Sequence, residues 1–67
     1  MKRIFTIKVN GELIELPDPN EELSSKEVME IYSNTYPQLL NGYVEEKGIR
    51  NETEMVYEFL TISGTKG

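Results

Sequence analysis

The sequence predicts an α+β fold in which one helix packs on a mixed four-stranded sheet, in the order strand, strand, helix, strand, strand. Three observations lead to this prediction. An Asn-Gly pair separates two alternating stretches, a helix-capping sequence follows at 24–27, and a β-favouring stretch runs from 54 to 62. Hairpin, helix and hairpin packed in two layers are a stable solution for a small chain. A ferredoxin-like fold would need a second helix, which no segment supplies.

The first two strands are predicted over Arg3–Val9 and Glu12–Leu16. Asn10-Gly11 between them favours a type I′ turn, because both residues tolerate positive φ. A two-residue loop fixes the register, and directly opposed residues share a face of the sheet. One face then carries the apolar set Phe5, Ile7, Ile14 and Leu16, with Val9 at its end, and the other carries Ile4, Thr6, Lys8, Leu13 and Glu15.

The helix is expected to run from about Ser25 to Thr35 or Tyr36. Ser24 as N-cap and Glu27 three residues later form a capping box. Pro37 marks the end, because the residue before a proline avoids the α region. The apolar stripe at helical spacing is Val28, Ile31, Tyr32 and Thr35, and beyond the helix Leu39 and Leu40 are expected to tuck into the core.

The second half of the chain is predicted to add a short strand at 43–46, a turn or loop at 47–52 and a long strand at 54–62. The face of the long strand that carries Glu58 is assigned to the outside, so the core-facing residues are Met55, Tyr57 and Phe59. A β-grasp arrangement fits best, with the first and last strands parallel at the centre of the sheet. Residues 1–62 are predicted to form the domain and 63–67 a flexible tail.

Composition limits the classes of partner and location. A chain of 67 residues makes one domain, and its net charge of −5 repels phosphate backbones, so no nucleic-acid partner is expected. No stretch is long and apolar enough to span a bilayer, and no signal-peptide pattern follows the first residues. We therefore expect a cytoplasmic location and no membrane partner. The lack of cysteine fits a reducing compartment.

Catalysis and metal binding are also not expected. The chain contains no His and no Cys, the residue types that most often carry acid–base and nucleophilic chemistry. Asp18, Asn20 and Glu22 echo the spacing of a calcium loop, but Leu23 and Met29 stand where the loop needs Gly and Glu. The sequence therefore predicts no catalytic residue, no metal site and no cofactor, and the chain is expected not to be an enzyme.

The face of the sheet without a helix is the first candidate site. It carries apolar residues on adjacent central strands, and an uncovered apolar patch on a small protein suggests a partner surface. The alternatives are that isolated apolar residues on a surface are normal, or that the patch forms a homodimer contact, and the oligomeric state is left open. The candidate partner surface comprises Ile4, Thr6, Val56, Leu60 and Ile62.

Five short motifs lie in order along nearly the whole chain: Leu16–Asn20, Ser25–Val28, Ile31–Ser33, Thr35–Pro37 and Gly64–Gly67. Together they resemble the motifs of PRTRC system protein C, a family of prokaryotic ubiquitin-like proteins. The resemblance implies a ubiquitin-like β-grasp fold. It also implies a bacterial gene cluster that includes a ThiF-like activating-enzyme relative, which makes such a protein a candidate partner, and a metalloprotease-like member. It carries no catalytic residues to transfer.

The tail is the second candidate site. Activation of a ubiquitin-like protein joins its terminal carboxylate to AMP in a narrow channel, and a residue without a side chain suits that channel. Lys66 departs from the Gly-Gly ending usual for sulfur carriers and conjugated modifiers. The leading hypothesis is therefore a non-covalent interaction module, the second a modifier or sulfur carrier, and an unmodified tail stays open. The conjugation candidates are Gly64, Thr65, Lys66 and Gly67.

Overall fold

The computed structural model describes residues 1–61 and confirms the α+β fold class, with one helix on a mixed four-stranded sheet. The strand order is β2-β1-β4-β3, and β1 and β4 are parallel central neighbours, as in a β-grasp. Residue 62 and the predicted tail at 63–67 lie outside the described residues. The elements are β1 Lys2–Val9, β2 Glu12–Leu16, α1 Ser25–Tyr32, a 3₁₀ helix Pro37–Asn41, β3 Gly42–Arg50 and β4 Glu54–Thr61.

The hairpin of β1 and β2 has the predicted register. Val9 lies opposite Glu12, and Phe5 lies opposite Leu16. Asn10 and Gly11 both have positive φ, at 53° and 83°, as a type I′ turn requires. The turn chemistry and the alternation of apolar residues therefore specify the same pairing.

Helix α1 begins as predicted and ends earlier than predicted. The Ser24 side chain accepts a hydrogen bond from the Glu27 backbone N–H, and the Glu27 carboxylate accepts one from the Ser24 backbone N–H. The prediction that the helix continues to Thr35 or Tyr36 was wrong. Beyond Tyr32 the Ser33 hydroxyl and the Asn34 amide donate to helix carbonyls, and such side-chain bonds compete with continuation of the helix.

The core lies between α1 and the face of the sheet that we call the inner face. Its centre is Phe5, which is fully buried and stacks on Tyr57 and Phe59 at ring-centroid distances of 5.1 and 5.4 Å. Leu39 from the 3₁₀ helix also enters the core, whereas Leu40 is exposed, so the prediction for Leu40 was wrong. Within residues 1–61 no helix is long and apolar enough to cross a membrane.

Strand β3 is longer than the sequence indicated, and the prediction of a turn or loop over 47–52 was wrong for most of that range. The strand continues to Arg50, which lies opposite Glu54. One extra residue, Lys47, forms a bulge between the positions that pair with Tyr57 and Val56. Gly48 accommodates the bulge with φ at 107°, a conformation that other residues rarely adopt. The bulge lets the strand continue past the glycine.

The turn between β3 and β4 stores backbone strain at Glu52. Its φ is 63°, in the left-handed region that costs a side-chain-bearing residue about 1 kcal/mol. Glu52→Gly is therefore expected to raise the free energy of unfolding by about 0.5–1 kcal/mol, measured by urea denaturation. The same substitution in the middle of β3, Glu45→Gly, serves as the control and is expected to lower it by about that amount. A loss of stability in Glu52→Gly would contradict the assignment of strain to this residue.

Candidate functional site

The face of the sheet opposite α1, called the outer face, carries the described residues of the predicted partner surface. Ile4 and Thr6 of β1 lie there beside Val56 and Glu58 of β4. Ile4 and Thr6 are only 7% and 3% exposed, although no helix of the described residues packs on them. Val56 and Leu60 are half-buried. Ile62 lies outside the described residues, so its place in this surface stays a prediction.

The most accessible apolar side chains of the outer face are Leu13 and Tyr43, which are 58% and 44% exposed. Leu13 lies opposite Lys8 on β1, and Tyr43 lies opposite Leu60 on β4. The list of candidate residues from the sequence omitted both. The hairpin register already put Leu13 on this face, and alternation along β3 could have identified Tyr43.

Charged side chains on the outer face form two small networks. Lys47 Nζ lies 3.4 Å from Glu45 Oε1 and 3.7 Å from Glu58 Oε1. Arg50 Nε lies 2.9 Å from Glu54 Oε1, and Arg50 Nη1 lies 2.7 Å from Glu15 Oε2. Four carboxylates and two cations of this face are therefore paired, whereas Lys2 and Lys8 have no ion-pair partner among residues 1–61. The four paired carboxylates are Glu15, Glu45, Glu54 and Glu58.

The Arg50–Glu15 pair joins the two edges of the sheet, because Arg50 belongs to β3 and Glu15 to β2. The hydrogen bond from Arg50 is the largest cause that holds the pKa of the Glu15 carboxyl below its ordinary value. The same bond, with a second from Glu54, raises the pKa of the Arg50 guanidinium. Both groups are therefore charged at neutral pH. Sequence reasoning missed this pair because Arg50 was assigned to a loop.

Thr6 is the one buried polar side chain of the outer face in the described part of the chain. Its hydroxyl donates to the backbone carbonyl of Tyr57 at 3.0 Å, so burial leaves that group satisfied. A satisfied, buried hydroxyl is not available to a partner. Thr6 therefore supports the predicted surface from below and does not itself offer a contact to a partner.

A cleft of about 720 Å³ lies where β1 begins and β2 ends, and two of its charged groups bind each other. Arg3 donates from Nε to Asp18 Oδ2 at 2.8 Å and from Nη2 to Asp18 Oδ1 at 2.9 Å. It also donates to the carbonyls of Leu23 and Asn20. These bonds hold the connection between β2 and α1 against the sheet, so the arrangement is structural.

The described residues provide neither a cluster of metal ligands nor any of the conjugation candidates. No group of three or more acidic side chains suited to a metal ion is present within residues 1–61. The conjugation candidates lie outside the described residues, so their role stays a prediction: Gly64, Thr65, Lys66 and Gly67.

Comparison with known proteins relates most of the chain to a protein family. The model of a family described as prokaryotic ubiquitin matches residues 1–65. No curated protein and no solved structure matches the chain. The matched range covers every described strand and helix and continues past β4 into the predicted tail.

Proposed function

Because the chain belongs to the prokaryotic ubiquitin family, we propose that it is a non-catalytic ubiquitin-like module that binds a protein partner through its outer face. The observation that carries this proposal is the exposure of Leu13 and Tyr43, which lie opposite Lys8 and half-buried Leu60, on a face that no described helix covers. The resemblance to PRTRC system protein C supports a place in a bacterial system of that type. A ThiF-like protein of the same gene cluster is then the first partner to test.

The outer face has the composition of a small interface. Apolar side chains at one end of the sheet, around Leu60, are bordered by the ion pairs of Lys47 and Arg50. Protein interfaces combine an apolar centre with a polar rim in this way. The face also rests on two central strands and a packed core, so a partner would meet a preformed surface and little ordering entropy would be lost.

Leu60→Glu is expected to weaken binding of the ThiF-like protein by more than about thirtyfold, the effect of a hot-spot residue. The new carboxylate would be desolvated in the interface, and Glu58 and Glu45 already lie on the same face. Isothermal titration calorimetry of the purified partner with the full chain measures the loss of binding affinity.

Ile31→Glu is the matched control, because Ile31 is an exposed apolar residue of α1 in the opposite layer. We expect it to bind like the unaltered chain. Urea denaturation of both variants checks that each remains folded. Unchanged affinity in folded Leu60→Glu would contradict binding through the outer face.

The second candidate function is covalent: adenylation of Gly67 as the terminal residue by a ThiF-like activating enzyme. The observation that favours it is the position of β4, a central strand that ends at Thr61 and leads towards the candidate residues. The same titration discriminates the two candidates when the chain without Gly67 is included. Deletion of Gly67 leaves non-covalent binding intact but abolishes adenylate formation, which intact mass and pyrophosphate exchange in the presence of ATP would detect.

A further inference from the structure

We propose that the Arg50–Glu15 ion pair is a displaceable cover over an apolar site formed by Ile4 and Val56, and that this site takes an apolar side chain of a partner next to a carboxylate. The proposal rests on the proposed function only in assuming that the outer face is where a partner binds. It adds a second contact area to the exposed end around Leu13 and Tyr43. The group that displaces Glu15 and opens the site is the carboxylate of the partner.

The strand register places this ion pair across the site. Arg50 lies opposite Glu54, and Glu54 lies opposite Lys2, so Arg50 belongs to the level of Lys2. Glu15 lies opposite Thr6, four residues further along β1 than Lys2, on the far edge of the sheet. Arg50 Nη1 and Glu15 Oε2 are 2.7 Å apart. To meet from these positions, the two side chains must extend diagonally across β4 and β1. The position between the two levels is that of Ile4, which lies opposite Val56.

The burial of Ile4 agrees with such a cover. Ile4 is 7% exposed on a face that no helix within residues 1–61 covers, whereas Leu13 and Tyr43, away from this diagonal, are 58% and 44% exposed. Thr6 beside it is also buried. The long aliphatic part of an arginine side chain can shield apolar surface while its charged head stays in water. Ile4 also lies on central strand β1, whereas Leu13 and Tyr43 lie on the edge strands, so the Arg50–Glu15 pair adds to a burial that the central position begins.

The cover is weak enough to be opened. Its two side chains are 41% and 54% exposed, and an ion pair exposed to this degree shifts an equilibrium by only about fivefold or less. Arg50 keeps its bond to Glu54 when Glu15 leaves. Glu15 also stays within the electrostatic influence of Lys2. Opening therefore leaves both groups of the pair close to a charge of opposite sign.

A carboxylate is the group that fits the opened site. The planar guanidinium of Arg50 can bind both oxygens of a carboxylate, which a single lysine ammonium cannot match in geometry. An apolar side chain next to that carboxylate would then lie over Ile4 and Val56.

The test uses the full chain and a small apolar anion, anilinonaphthalene sulfonate, whose fluorescence rises on apolar surfaces. Glu15→Gln removes the partner that holds Arg50 across the site, so the dye is expected to bind up to about fivefold more tightly than to the unaltered chain. Glu45→Gln removes a carboxylate of the same face that pairs only with Lys47, and it should leave dye binding unchanged. NMR of methyl groups is expected to place the dye at Ile4 and Val56.

Arg50→Gln supplies a second variant, because it removes both the cover and the anchor for the anion. It is expected to bind the dye more weakly than Glu15→Gln does. Equal binding by Glu15→Gln and Glu45→Gln would overturn the proposal, and so would dye located at Leu13 and Tyr43 instead of Ile4. Either result leaves the proposed function standing, because the Leu60→Glu titration tests the outer face separately. Urea denaturation confirms that the variants compared are folded.

Discussion

Phe5→Ala is expected to leave most of the chain unfolded at room temperature. Phe5 is fully buried at the centre of the core, between Tyr57 and Phe59 and beneath the guanidinium of Arg3, which lies 5.2 Å from its ring centroid. Truncation of a buried phenylalanine to alanine costs about 3–5 kcal/mol. The single core of a chain below about 70 residues supplies about the same amount. Circular dichroism and amide NMR spectra at 25 °C measure the loss.

Leu40→Ala is the control for this prediction, because Leu40 is apolar but exposed on the 3₁₀ helix. We expect its free energy of unfolding to change by less than about 0.5 kcal/mol. Phe5→Leu retains part of the buried volume and should preserve a cooperative urea transition at lower denaturant. A fully folded Phe5→Ala would show that the core tolerates a large cavity and would contradict the central role of Phe5.

Local sequence signals predicted the parts of the fold that are determined locally. Asn10-Gly11 specified the turn, and the alternation on both sides specified the same register, which the structure confirms. The capping box of Ser24 and Glu27 fixed the start of α1 within one residue. In both cases the interacting groups lie within a few residues of each other. Neighbouring residues are therefore sufficient to predict both features.

Features that depend on distant partners were predicted less well. A turn was expected at Lys47 and Gly48, but pairing with β4 carries β3 through a bulge there. Leu39 and Leu40 are adjacent and chemically identical, and only packing against the core decides which one is buried. Neither outcome is encoded in local preference, because tertiary contacts override it.

The same distinction between local signals and distant contacts applies to the candidate site. Period-two alternation placed Ile4, Thr6, Val56 and Leu60 on one face, and the strand pairing bears out that placement. Alternation does not reveal which of these side chains water can reach. Arg50 and Glu15, which are 35 positions apart in the sequence, meet at this outer face. A contact of that kind follows only from the order of all four strands.

Asp18→Asn is expected to lower the free energy of unfolding at neutral pH by about 2–3 kcal/mol. The Arg3 and Asp18 side chains are only 16% and 11% exposed and share two hydrogen bonds. Removal of the carboxylate charge leaves the guanidinium partly buried without a counter-charge, which is far costlier than loss of an exposed pair. Urea denaturation at pH 7 measures the loss. Glu21→Gln, in the same connection and exposed, is the control and should change stability by less than about 0.5 kcal/mol.

The difference between the unaltered chain and Asp18→Asn is also expected to depend on pH. The hydrogen bond from Arg3 is the largest cause that lowers the pKa of Asp18 below its ordinary value of 3.8, although burial opposes it. Near that pH the unfolded chain binds the proton more readily than the folded chain does. The contribution of the carboxylate is therefore complete above pH 3.8 and disappears as the pH falls through the lower native value. Urea denaturation from pH 7 downwards should show the gap between the two proteins narrowing in acid, and a gap of constant size would show that the Arg3–Asp18 charge pair is not its source.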